Sequence, residues 1–270
     1  MKLARQLGSL LASTLLLFSV SIQAEIKGEE VSYSAGDLTL KGFMAYDDAV
    51  TTPRPAILVV HEWWGHNAYA RERATLLAKA GYVALAVDMY GDGKTADHPK
   101  EAGEFMKAAM ADKAALAARF HAAVDVLQQH SAVDKDAIAA IGYCFGGAVV
   151  LEMARRGATL AGVASFHGSL GTDNPAKAGE VQAKVIVFHG EADRLIPADV
   201  VEAFKQEMTA AEVDFTFVNY PDVQHSFTNP DADELAKKFD LPLAYDKAAD
   251  EDSWEKLQEF LTGLFTAPNE

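Results

Sequence analysis

Residues 137–150 read AIAAIGYCFGGAVV, and the two halves of this stretch have opposite habits. Ala137 to Tyr143 is a short apolar run of strand length, whereas the small and apolar residues from Gly146 onward suit a helix packed closely against it. Between them stands Gly142-Tyr143-Cys144-Phe145-Gly146, the pattern Gly-x-nucleophile-x-Gly with cysteine at its centre. A strand that turns abruptly into a helix lifts the central residue onto a strained bend, where Cβ atoms at the flanking positions would clash. The following helix aims its N-terminal end at Cys144, an environment that makes a cysteine nucleophilic. Taken alone, the motif is equally a tight turn whose cysteine merely packs.

Outward from this turn the same alternation recurs. Residues 29–46 alternate around a turn at Ser34–Gly36 and read as a hairpin, followed by apolar runs at 55–61 and 82–88 that flank a helical stretch at 68–79. A helix is expected over 99–129, then the strand at 137–143, a helix over 146–156, strands at 160–167 and 183–190, a helix over 198–211, a strand at 214–220 and a last helix near 253–264. About six buried strands with helical crossovers, without a linker or an internal repeat, predict one α/β domain over 25–270 with a mostly parallel, doubly wound sheet. Functional residues then belong in loops at the carboxyl ends of the strands.

The chain has 270 residues, half of them hydrophobic, and a formal net charge of −15, so it can build a sizeable core and offers no extended surface for nucleic acid or anionic lipid. Lys2 and Arg5 precede the apolar stretch Leu10 to Val20, which ends at Ala24: the layout of a signal peptide over 1–24 and of a periplasmic or secreted protein. An uncleaved anchor is the alternative. No later segment reaches the length of a membrane span. Cys144 is the single cysteine, so no intrachain disulfide can form.

An acid and a base can be sought in chain order after the nucleophile. Asp193 follows the strand at 183–190, and His225 follows the strand at 214–220. Either one alone would pass for an ordinary loop residue; three placements at strand ends in the right order form a triad. His61 and His189 also end strands and are read as structural. In His61-Glu62-Trp63-Trp64-Gly65-His66 the histidines stand five apart on a turn, which does not match a zinc helix, and no metal or other cofactor is expected.

With these residues assembled, the chain resembles the dienelactone hydrolase family of the α/β-hydrolase fold, on Gly142-Tyr143-Cys144-Phe145-Gly146-Gly147, Glu62-x-x-Gly65 and His225-Ser226-Phe227. The resemblance implies an enzyme that cleaves small esters or lactones through a Cys144-Asp193-His225 triad and a thioester. It further implies that Glu62 contacts the resting cysteine and that the backbone N–H groups of Phe145 and Trp63 hold the oxyanion. Family members bind a substrate carboxylate with two arginines; Asp92 and Asn229 stand at the matching positions here, with Lys94 nearby. A neutral ester or lactone bound beside Trp64, Tyr90, Asp92, Phe227 and Asn229 is therefore expected. A binding or redox-sensing protein on the same fold, or a peptidase or acyltransferase with the same triad, are the competing readings, and the oligomeric state stays open.

Overall fold

The computed structural model describes residues 26–266; the expected signal segment 1–24 lies outside them. Eight strands form one sheet in the order β1-β2-β4-β3-β5-β6-β7-β8. The strands are β1 (Ile26–Ala35), β2 (Leu38–Asp47), β3 (Arg54–Val60), β4 (Val83–Val87), β5 (Val133–Tyr143), β6 (Gly162–Phe166), β7 (Lys184–Gly190) and β8 (Phe215–Tyr220). The hairpin β1–β2 joins antiparallel to β4, and the six strands from β4 to β8 run parallel. This is the mostly parallel α/β sheet expected from the alternation of apolar runs and helices, and the α/β-hydrolase fold that the resemblance implies.

The helices are α1 (Ala68–Lys79), α2 (Pro99–Ala111), α3 (Lys113–Gln129), α4 (Phe145–Arg155), α5 (Ala198–Ala210), α6 (Ala232–Phe239) and α7 (Lys247–Phe265). Alternation along the central strands sorts them into two layers. Leu58, Val60, Ile138 and Ala140 face α3, α4 and α5, whereas Ile57, Val59, Ala139 and Ile141 face α1 and α7. Because both faces of β3 and β5 are covered, these strands are apolar throughout, as the sequence shows.

Two expectations are corrected. The helix read over 99–129 is two helices: Asp112 ends α2, and its carboxylate accepts the Ala115 N–H at 2.9 Å to cap α3. No helix was foreseen at α6, whose inner face of Leu235 and Phe239 packs toward Trp64. Among the described residues no helix is long and apolar enough to cross a membrane.

Candidate active site

At the end of β5 the backbone of Cys144 takes φ 52° and ψ −114°, a conformation that costs roughly 1–3 kcal/mol and persists only where its surroundings impose it. The imposition is visible atom by atom. A Cβ on Gly142 would lie 2.1 Å from the Gly146 carbonyl oxygen, and one on Gly146 would lie 2.2 Å from the Val60 carbonyl oxygen. Only glycines let β5 turn into α4 while α4 rests on the end of β3.

Cys144 and His225 both line one cavity of about 710 Å³. His225 is buried in the loop after β8, and its Nδ1 lies 2.7 Å from Asp193 Oδ2. Asp193, in the loop after β7, is itself oriented by the Leu195 N–H, which donates to Oδ1 at 2.8 Å. The other His225 nitrogen, Nε2, has no hydrogen-bond partner among the described residues, and Cys144, which lines the same cavity, acts electrostatically on the ring. Burial alone would lower the His225 pKa. Negative charge on Cys144 and the bond to Asp193 outweigh it and raise the value to about 10.

The strand end beside the elbow supplies a second fixed turn. His61 is fully buried and accepts the Met89 N–H on Nε2 at 3.3 Å, so its proton sits on Nδ1 and is donated to the Glu62 carbonyl at 2.5 Å. Burial lowers its pKa to about 4, keeping it neutral. The Tyr90 hydroxyl donates to the Trp63 carbonyl at 3.0 Å. The turn is thus held from both sides while the Trp63 N–H is bound to no acceptor among the described residues. The Phe145 N–H, first in α4, has no acceptor within its own helix. Both residues line the cavity.

Glu62 lies beneath this turn, only 2% exposed. Ser226 Oγ donates to its Oε1 at 3.1 Å and Asn229 Nδ2 to its Oε2 at 2.7 Å. Its carboxyl therefore engages the histidine loop, and the contact with Cys144 implied by the resemblance is not made. Burial raises its pKa despite the two donors.

The residues expected to hold substrate are placed elsewhere. Asn229 is buried against Glu62, and Tyr90 is spent on fixing the Trp63 turn. Phe227 is wholly buried, with its ring 5.4 Å from that of Tyr220. Trp64 is buried beside Phe239 and faces a separate polar cleft. Asp92 is exposed in the loop after β4, where its N–H donates to the Thr39 carbonyl, and Lys94 is exposed in the same loop. The cavity wall is formed instead by Trp63, Met106, Met110, Leu195, Ile196 and the segment Leu241-Pro242-Leu243, with Lys107 as the one basic side chain besides His225. The methionines escaped notice because what aims them inward is the orientation of α2, which the sequence does not display.

One buried polar residue was also missed. His167 follows β6 directly, in register with the elbow because Phe166 pairs with Tyr143. The signal was the strand-end position already applied to His61 and His189.

The dienelactone hydrolase family model matches residues 40–265. The chain belongs to the dienelactone hydrolase family. It is accordingly an ester or lactone hydrolase. A dienelactone hydrolase-like promiscuous phosphotriesterase from metagenomic libraries is 34% identical, with a TM-score of 0.83, covering 89% of this chain and 99% of that one. A Yersinia pestis protein provisionally named carboxymethylenebutenolidase is 26% identical over 246 residues, which is 87% of each chain. The dienelactone hydrolase from Anabaena variabilis is 22% identical with a TM-score of 0.57, over 79% of this chain and 94% of its own, and shares the fold.

Proposed function

We propose that the protein hydrolyses uncharged esters or lactones with Cys144 as nucleophile, His225 as the proton-transferring group and Asp193 as its orienting acid. The observation that carries this reading is His225 held at 2.7 Å by buried Asp193, with its other nitrogen unpartnered among the described residues and its ring lining the same cavity as Cys144. The sulfur attacks the carbonyl carbon, and the oxygen takes up the carbonyl electron pair and is held by the N–H groups of Phe145 and Trp63. The intermediate collapses by breaking the bond to the leaving oxygen, which takes a proton from His225. Water then attacks the thioester with its proton passing to His225, and the acid leaves as the sulfur is released.

The wall supports an uncharged substrate. Apolar side chains surround the sulfur, and no arginine is among the residues that line the cavity. A carboxylate buried there would lose its hydration without a bidentate partner. Uncharged phosphotriesters are a second reading, favoured by the description of the metagenomic relative. A panel of chromogenic esters, lactones and a p-nitrophenyl phosphotriester, run on the protein and on Cys144→Ala, tests both. Turnover of esters or lactones that vanishes in Cys144→Ala supports the main reading, and full activity in the variant refutes it.

The order of basic and apolar residues in 1–24 supports export with cleavage after Ala24. Intact mass of protein recovered from the cell envelope tests this, and a chain retaining Met1 refutes it.

A further inference from the structure

His167 bridges the two loops that the reaction must keep in register. It is fully buried, does not line the cavity, and takes a left-handed φ of 40° just past the end of β6, the strand next to the elbow. Its Nδ1 accepts the backbone N–H of Cys144 at 3.2 Å, a proton shared with the Phe166 carbonyl at 3.0 Å. That contact places the imidazole proton on Nε2, which donates to Thr228 Oγ1 at 2.9 Å. Thr228 lies three residues beyond His225. Its hydroxyl is 2.6 Å from the Tyr69 hydroxyl, and its carbonyl accepts from both Tyr69 and Arg73. Arg73 is anchored in turn by Asp250 at 2.7 Å, so the bridge ends on α1 and α7.

The ring of His167 also meets that of His225 edge-on, with centroids 5.1 Å apart. One neutral imidazole therefore touches the nucleophile's backbone, the catalytic ring and the loop that carries it. A protonated ring would set a second N–H against that of Cys144 and lose the elbow contact. Burial and the charges of His225 and Arg73 hold its pKa well below the usual value.

Building on the function proposed above, we infer that His167 is a positioning residue that fixes the nucleophile elbow to the histidine loop through Thr228, and thereby sets the Cys144–His225 geometry. A small misplacement of reacting groups costs on the order of 100-fold in rate. Since His167 stands outside the cavity, its loss should act on kcat and leave KM unchanged.

The test is His167→Leu beside His167→Asn, and Thr228→Val beside Thr228→Ser, on the ester turned over best by the wild type, with Tm measured for each. Asparagine tolerates left-handed backbone and offers an acceptor close to the Nδ1 position. Leucine should lower kcat by roughly 10–100-fold at constant KM, asparagine, which keeps the elbow acceptor but cannot reach Thr228, should recover only part of the loss, and valine but not serine at 228 should lower kcat in the same direction at constant KM. If His167→Leu does not fold, the Thr228 pair decides. Unchanged kcat in folded His167→Leu or in Thr228→Val overturns the inference, as does a rise in KM that accounts for the loss. Cys144→Ala and His225→Ala run in parallel separate the two claims. If they stay active, the proposed function fails; if they are inactive while the bridge variants are not, only the role of His167 fails.

Discussion

Gly142→Ala should injure stability and turnover together, and the size of each effect can be worked from contacts at the elbow. The added Cβ would sit 2.1 Å from the Gly146 oxygen, 2.2 Å from its carbonyl carbon and 2.7 Å from the Gly147 nitrogen. All three are backbone atoms, so no rotamer relieves the clash, and ordinary contact near 3.5 Å requires β5 and the first turn of α4 to part by about 1.4 Å. Overpacking of this kind costs about 1–3 kcal/mol, and in a domain of this size each kcal/mol lowers Tm by about 2–4 °C. The Phe145 N–H lies in the displaced turn, so a kcat loss of roughly 100-fold should accompany a Tm drop of about 2–12 °C. Circular dichroism melting and ester turnover read the two quantities on one preparation. A variant with wild-type Tm and wild-type kcat would refute both the tightness of the elbow and the use of Phe145.

Removing the sulfur in Cys144→Ala takes away a charge that raises the His225 pKa, so NMR titration should find it about 1–3 units below the wild-type value near 10; an unchanged pKa would separate the two side chains. Because that raised pKa stabilises the fold at pH below about 6.5 and the contribution fades as pH rises through about 10, Asp193→Asn should flatten the alkaline fall in Tm, and a melting series from pH 6 to 11 checks it. Glu62 has its pKa raised by burial, so ionising it destabilises the protein as pH rises through the shifted value. Glu62→Gln should therefore hold its Tm better than the wild type across that range, and a parallel pH dependence would count against the protonated form. For a substrate pair differing only in a free carboxylate against its methyl ester, kcat/KM should favour the methyl ester at least tenfold, the equivalent of about 1.4 kcal/mol. The reverse preference would point to Lys107 as an anion contact.

What the sequence made legible was whatever depends on backbone necessity. Gly142 and Gly146 announce the elbow because no other residue fits, and Asp193 and His225 are found because strand ends in this fold face one side. Residues placed by the packing of one element on another were not legible. Asn229 and Tyr90 stand near the site in sequence, yet tertiary contacts turn them toward Glu62 and the Trp63 carbonyl. Met106 and Met110 become walls through the orientation of α2, a helix separated from α3 at Asp112, which a helical pattern read over 99–129 runs straight through. His167 was hidden by its likeness to His61 and His189, and only the pairing of β5 with β6 distinguishes it.

The short helix α2 has a consequence for how this site can change over generations. Only Ala102 and Ala109 of its residues are buried, while Gly103, Met106, Lys107 and Met110 look onto the cavity. The helix is thus a panel whose inner face borders substrate and which holds the core through two buried alanines and the partly buried Phe105, Met106 and Met110. A Cβ on Gly103 would come no closer than 4.0 Å to the Trp63 ring, an ordinary contact. Single substitutions at 103, 106 or 110 can therefore reshape the chamber while the elbow, the triad loops and the sheet stay as they are. Mutational drift in preference is concentrated on about two turns of helix, and selection can explore new esters there with the elbow and the triad loops left in place.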